Sequence, residues 1–184
     1  MFGASWPQVL EACRLGAEWA WRQVYEDISP SVLRYYRACR APDPEDLVSD
    51  TFLCVVQGIG AFQGAEGPFR GWVFTIARRR MIDAARSSSC RPVQPIPPDD
   101  LPAHGDVGDV EEDSLRSLSE QRVRSVLDRL TPDQRDVLVL RMLADLTIDQ
   151  VAQVLGKRPG AVKAIQARGL GELRRQISRG AVSF

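Results

Sequence analysis

One histidine, His104, stands in the 184 residues, and the four cysteines, Cys13, Cys39, Cys54 and Cys90, are scattered with no close pair. A zinc site has almost no ligands to draw on, so no metal is expected. Nothing points to secretion, and the thiols are read as reduced rather than as a disulfide framework. Long apolar runs are missing as well, which argues against membrane insertion. The opening "MFGASWPQVLEACRLG" has no basic segment leading into an apolar stretch, so no signal peptide is visible and the cytoplasm is the default location. A phosphate-binding glycine loop and a nucleophile–base pair are also lacking. The chain is therefore read as a non-enzyme without a cofactor.

Net charge is the last absence: 24 basic residues balance 24 acidic ones. The balance hides segregation. Arg70, Arg78, Arg79, Arg80, Arg86 and Arg91 face only Asp83 in one block. Asp99, Asp100, Asp106, Asp109, Glu111, Glu112 and Asp113 follow with no base among them, and Lys157, Arg158, Lys163, Arg168, Arg174, Arg175 and Arg179 then stand against Glu172. A polyanion responds to local potential, so a neutral total does not exclude nucleic acid.

The acidic block lies in "CRPVQPIPPDDLPAHGDVGDVEEDS", where prolines deny regular hydrogen bonding and large apolar residues are few. It reads as a flexible linker at 90–113 between domains at 1–89 and 114–184. Its acids could ligate a cation, but such a segment cannot preorganise a site.

Both flanks read as helical, and no β-hairpin signature appears. Ser5 is a candidate N-cap with Pro7 in the first turn and Gly16 as a stop. Trp21, Val24, Tyr25 and Ile28 share a face, Ser29-Pro30 is expected to interrupt, and "SVLRYYRACR" resumes. Asp43 can cap a helix opened by Pro44, with Leu47, Val48, Thr51, Phe52, Val55 and Val56 as its apolar stripe ending at Gly58 and Gly60. "PFRGWVFTIARRRMIDAAR" offers Phe69, Val73, Ile76, Ala77 and Ile82 for burial.

Beyond the linker, Thr131-Pro132 restarts a helix through Leu143, and Thr147 with Gln150 fits a capping box opening "IDQVAQVL". Gly156 makes the turn and Pro159 suits the first turn of the last helix, with Val162, Ile165 and Leu173 inward. The pattern is a helix-turn-helix, or an ordinary helical hairpin. Gly169 and Gly171 cost about 1 kcal/mol each relative to alanine, so the end of this helix is expected to fray. The fold class is all-α, with two small helical domains joined by an acidic Pro/Gly-rich linker.

These segments together resemble the extracytoplasmic-function group of bacterial RNA polymerase sigma factors, most closely actinobacterial members. "DPEDLVSDTF", "FRGWVFTIARRRMIDAAR" and "LTPDQRDVLVLRMLADLTIDQVAQVLGKRPGAVKAIQARGLGELRR" stand in the family's order, over Trp6 to Ser89 and Leu115 to Arg175. The resemblance implies a subunit that binds core RNA polymerase, through the clamp of the largest subunit and the flap of the second largest. It would direct the enzyme to promoters and help open the DNA. Asp46, Leu47, Asp50, Thr51 and Phe52 would dock on the clamp, with Cys54 where arginine is common.

The loop "AFQGAEGPFRGW" is similar to the segment that captures a base flipped from the minus-ten element. Phe62, Phe69, Trp72 and Arg70 offer aromatic stacking and a cation, with one of Phe69 and Trp72 left for the core. Arg78, Arg79, Arg80 and Arg86 would hold single-stranded DNA, Arg79 standing where asparagine is usual. In the last helix Arg158, Lys163 and Arg168 would contact the minus-thirty-five duplex, with Ala164 and Ala167 small enough for close approach and Arg141 on phosphate. Lys163 and Arg168, five apart, would divide base reading from backbone holding. The acidic linker resembles the segment that threads the polymerase's RNA channel; a merely solubilising tether is the alternative. An anti-sigma partner is common in the family, though no residue here requires one. The alternative function is a stand-alone helix-turn-helix regulator with an N-terminal sensing domain.

Overall fold

The computed structural model describes residues 2–90 and 125–178. The linker acids Asp99 to Asp113 and Arg91 lie outside the described residues, as do Leu115 to Arg124. All regular structure among the described residues is helical: α1 (Trp6–Arg14), α2 (Glu18–Ala38), α3 (Pro44–Gly58) and α4 (Glu66–Cys90), then α5 (Pro132–Met142), α6 (Ile148–Leu155) and α7 (Pro159–Ser178).

The first four helices form around the faces their spacing provides. Helix α2 buries Ala20, Val24, Ile28, Val32, Tyr35 and Tyr36, and α3 buries Leu47, Val48, Thr51, Phe52 and Val55. Several sequence expectations fail here. Ser29-Pro30 does not break α2, which runs on through Pro30. That proline is exposed, and the buried residues on either side keep one face against the core, which outweighs the lost hydrogen bond. Tyr25 and Val56 stay exposed rather than joining their stripes. Asp43 makes no side-chain cap; with φ at 44° it receives the Leu47 N–H on its backbone carbonyl. Ser5 likewise donates its hydroxyl to the Phe2 carbonyl instead of capping α1.

A polar knot ties three of these helices. The Tyr36 hydroxyl donates to the Ala77 carbonyl of α4 at 3.0 Å and lies 2.6 Å from the Thr51 hydroxyl of α3, which itself reaches the Leu47 carbonyl at 2.7 Å. All of it is buried, and burial pushes the Tyr36 phenol up to about 12.

In the second domain α5 and α6 both open with capping boxes, Thr131 with Gln134 and Thr147 with Gln150. Gly156 ends α6 at φ 64°, the left-handed turn that glycine adopts without strain. The glycines of α7 differ. A Cβ on Gly169 would meet Leu138 Cδ1 of α5 at 2.9 Å, so that glycine sets how closely α5 and α7 pack, whereas a Cβ on Gly171 meets nothing within 4 Å. Instead of fraying after them, α7 continues to Ser178.

The two domains touch. Gln150 of α6 donates to the Gly67 carbonyl of α4 at 2.7 Å and its side chain covers Gly71. Arg40 pairs with Asp128, and Asp136 of α5 lies between Cys39, at 3.7 Å, and Arg78 Nε, also at 3.7 Å.

The glycine pair gives a direct test of this packing. Gly171→Ala should stabilise the protein by about 0.5–1 kcal/mol through helix propensity alone. Gly169→Val should destabilise it by about 1–3 kcal/mol, because Leu138 is fully buried and has nowhere to move. Urea unfolding of the two variants against the parent measures both.

Candidate nucleic-acid interface

Two surfaces carry the residues singled out in the sequence. The first is the segment between α3 and α4. Gly58 lets Trp72 pack over the end of α3, since a Cβ there would meet the indole at 2.9 Å. Phe62 lies 5.2 Å from the Trp72 ring and 5.2 Å from Phe69, edge-on to the latter. Phe69 is only 1% exposed and is sandwiched further by Trp6 at 4.8 Å. Of Phe69 and Trp72, Phe69 is thus the core ring and offers no face to a base, while Phe62 and Trp72 are half-buried.

The arginines of α4 also separate. Arg70 pairs with Asp27 of α2 at 2.8 Å with both side chains largely covered, so it braces the fold rather than awaiting a ligand. Arg78 faces Asp136 across the domain contact, and its Nε is buried with no hydrogen-bond partner. Burial holds the Asp136 carboxyl above its ordinary range, opposed by the nearby Arg78 charge. Arg79, Arg80 and Arg86 are exposed along α4.

On α3 the expected docking set divides by face. Leu47, Thr51 and Phe52 are buried, with Thr51 held in the polar knot, and cannot meet a partner as the helix stands. Asp46 and Asp50 are exposed. One turn further on the same side, Leu53 and Val56 are exposed at 59% and 47%. Asp46, Asp50, Leu53 and Val56 follow one another at spacings of four, three and three, and this was the available signal, obscured because Val56 also fits the buried stripe.

The second surface is α7. Val162 and Ile165 are buried and Leu173 is half-buried, and the opposite side shows Gly160, Lys163, Ala164, Ala167 and Arg168. At roughly 100° per residue, Gly160, Ala164 and Ala167 form a low central strip with Lys163 on one margin and Arg168 on the other. Arg174 and Arg175, both exposed, extend the two margins. Arg158 is exposed just before the helix. Arg141 behaves differently: its guanidinium donates to the Leu146 carbonyl and fastens the turn into α6, which competes with a role on phosphate. Sequence reasoning also missed Gln150 as an inter-domain contact and Trp6, Arg14 and Glu66 as contacts of the loop; all act over long sequence separations that periodicity does not report.

Residues 24–90 match the family described as Sigma-70 region 2, and residues 126–175 match Sigma-70, region 4. The chain is 33% identical over 92% of its length to the ECF RNA polymerase sigma factor BldN of Streptomyces coelicolor, of which it spans 65%. It is 32% identical to the ECF RNA polymerase sigma factor ShbA of Streptomyces griseus, with 80% of this chain and 82% of the relative covered. Among solved structures, that of CnrH in complex with the cytosolic domain of CnrY has a similar fold, with a TM-score of 0.71 at 22% identity, covering 95% of this chain and 98% of that one.

The assignment of Phe69 to the core and Phe62 to the surface predicts unequal costs. Phe69→Ala should lose about 3–5 kcal/mol of stability, the usual range for deleting a buried ring. Phe62→Ala should lose less than half as much. Chemical denaturation of both variants reads the difference, and equal losses would place both rings in the core.

Proposed function

This chain belongs to the ECF RNA polymerase sigma factors, and we propose that it binds core RNA polymerase, brings it to specific promoters and helps separate the strands there. What carries the reading is the presence of two unlike surfaces on one chain, in the order of Sigma-70 regions 2 and 4. One is an aromatic loop beside exposed arginines, suited to single-stranded bases and their phosphates. The other is a helix with a low central strip between cationic margins, suited to the major groove of a duplex. A stand-alone regulator would need only the second. Its sensing domain has no support in an N-terminal half that matches region 2.

In this reading residues 1–89 dock on the polymerase clamp and capture the minus-ten strand, 90–113 link, and 114–184 contact the flap and read the minus-thirty-five duplex. Asp46 and Asp50, joined by Leu53 and Val56, form the docking face of α3. Phe62 and Trp72 receive the flipped base, with Arg79, Arg80 and Arg86 along the strand. Lys163 and Arg168 flank the groove-facing strip, and Arg158 holds the backbone. The cytoplasm, where polymerase works, is its place of action; no helix among the described residues is long and apolar enough to cross a membrane. The solved structure of CnrH with CnrY, and that of RpoE with the anti-sigma factor NepR, make an inhibitory protein partner a reasonable one to seek.

Two measurements test this. Lys163→Ala and Arg168→Ala should weaken holoenzyme on its promoter, by about 1–3 kcal/mol where a base edge is read. A phosphate contact would instead lower affinity for all sequences alike and flatten the salt dependence. Unchanged transcription from both variants would remove α7 as the reader. Separately, Phe62→Ala should reduce open-complex formation on duplex promoter, and a template already mismatched at the minus-ten element should recover part of the loss.

A further inference from the structure

The segment Phe2–Arg14 precedes the region 2 match, which begins at residue 24, yet it hydrogen-bonds both the loop between α3 and α4 and Glu66 at the start of α4. The Trp6 indole N–H donates to the Gly64 carbonyl at 3.0 Å. Arg14 Nη2 donates to the Phe62 carbonyl at 2.6 Å, while its Nη1 reaches Glu11 at 3.2 Å. From the loop's far end, the Glu66 carboxylate accepts the backbone N–H groups of Phe2 at 3.0 Å and Gly3 at 2.9 Å. The rings continue the connection, Phe2 on Trp6 at 5.6 Å, Trp6 on Phe69 at 4.8 Å and Phe69 on Phe62 at 5.2 Å. Between Phe62 and Glu66, two carbonyls and one side chain are thus fastened to a single N-terminal helix and the turn before it.

Short loops with exposed Gln63, Gly64 and Ala65 have little packing of their own to fix them. Gly64, at φ 158°, adds conformational freedom at the loop's centre. Extruding a base costs a few kcal/mol, and a receiving loop that must also be ordered at that moment adds its own entropy to the barrier. Fastening the loop beforehand removes that part of the cost, as rigid support does for any binding site.

We propose that α1 and its preceding turn form a strap that preorganises the base-capturing loop, with Trp6 and Arg14 as positioning residues for strand opening. The inference rests on the loop's role proposed above. Neither residue touches DNA in this scheme: Trp6 is buried at 4% exposure, and Arg14 acts through the Phe62 backbone.

The test uses the full chain bound to core polymerase. The probe is a fluorescent single-stranded oligonucleotide carrying the minus-ten sequence that the parent holoenzyme enriches from a random pool. Trp6→Phe removes the donor and keeps a smaller ring in the core; Arg14→Gln shortens an exposed side chain without disturbing the core. Each should weaken strand binding about two- to tenfold, the span a single lost hydrogen bond supplies. Each should also speed hydrogen exchange at the amides of residues 62–66, with core-polymerase affinity close to the parent and, for Arg14→Gln, an unchanged melting temperature. Arg14→Lys, which retains a donor, should recover part of the loss. If Phe62→Ala weakens strand binding while Trp6→Phe and Arg14→Gln both match the parent, the loop's role stands and the strap is overturned. If Phe62→Ala is also without effect, the loop is not the capture site and the strap falls with it.

Discussion

The buried hydroxyl of Tyr36 fixes the frame that carries the exposed sides of α3 and α4. It joins α2 to the Thr51 hydroxyl of α3 and the Ala77 carbonyl of α4, with Thr51 in turn bonded back to its own helix. The two hydroxyls share their two hydrogens among these three contacts and each keeps a partner, so burying them costs little, but removing one would leave the other short of a partner away from water, at about 1–3 kcal/mol. An apolar packing of the same helices could slide; directional bonds hold one register. The exposed side of α3 that carries Asp46 and Asp50 and the arginine face of α4 therefore point outward at fixed angles to each other.

That frame explains why several chemically attractive residues prove to be structural. Thr51 belongs to a helix that a partner would grip, yet its hydroxyl is spent inside. Phe69 sits in a loop-proximal aromatic group, but Trp6, Phe62 and Trp72 surround it. Arg70 is bound by Asp27. In each case a residue type suited to binding has been used to brace a neighbour that remains accessible: Asp50 beside Thr51, Phe62 over Phe69. In such pairs the buried member holds the exposed one still.

The helices themselves were legible from spacing, because amphipathic periodicity and the Thr147–Gln150 capping signal are local. The helix-turn-helix and its outward cations followed for the same reason. What sequence could not show were decisions made over long separations. Pro30 looked like a stop because its cost is local, whereas the buried face that overrides it draws on α3 and α4. Gly169 looked like a weakness in α7 because Leu138, which requires it, is on another helix. Trp6 and Arg14 looked like parts of an ordinary amphipathic helix, and only the fold brings them to Gly64 and Phe62.

The neutral total charge has a structural counterpart in the same pairing. Arg70 and Arg78, two of the cations in the first basic block, face acids of the chain itself, Asp27 and Asp136. Arg79, Arg80, Lys163 and Arg168 remain on exposed faces. Internal pairing thus consumes charge where it would be buried and leaves it where a polyanion can approach. The Arg78–Asp136 contact is the weakest of these arrangements. At 3.7 Å it exceeds hydrogen-bonding distance, and desolvation raises the Asp136 carboxyl. A carboxyl raised in the folded state favours that state below its unfolded pKa, and this contribution is lost as pH rises through the folded value. At neutral pH the desolvated Asp136 carboxylate therefore costs the folded state some stability. The aromatic loop and the Tyr36 knot, by contrast, lie wholly within the first domain and do not depend on that contact.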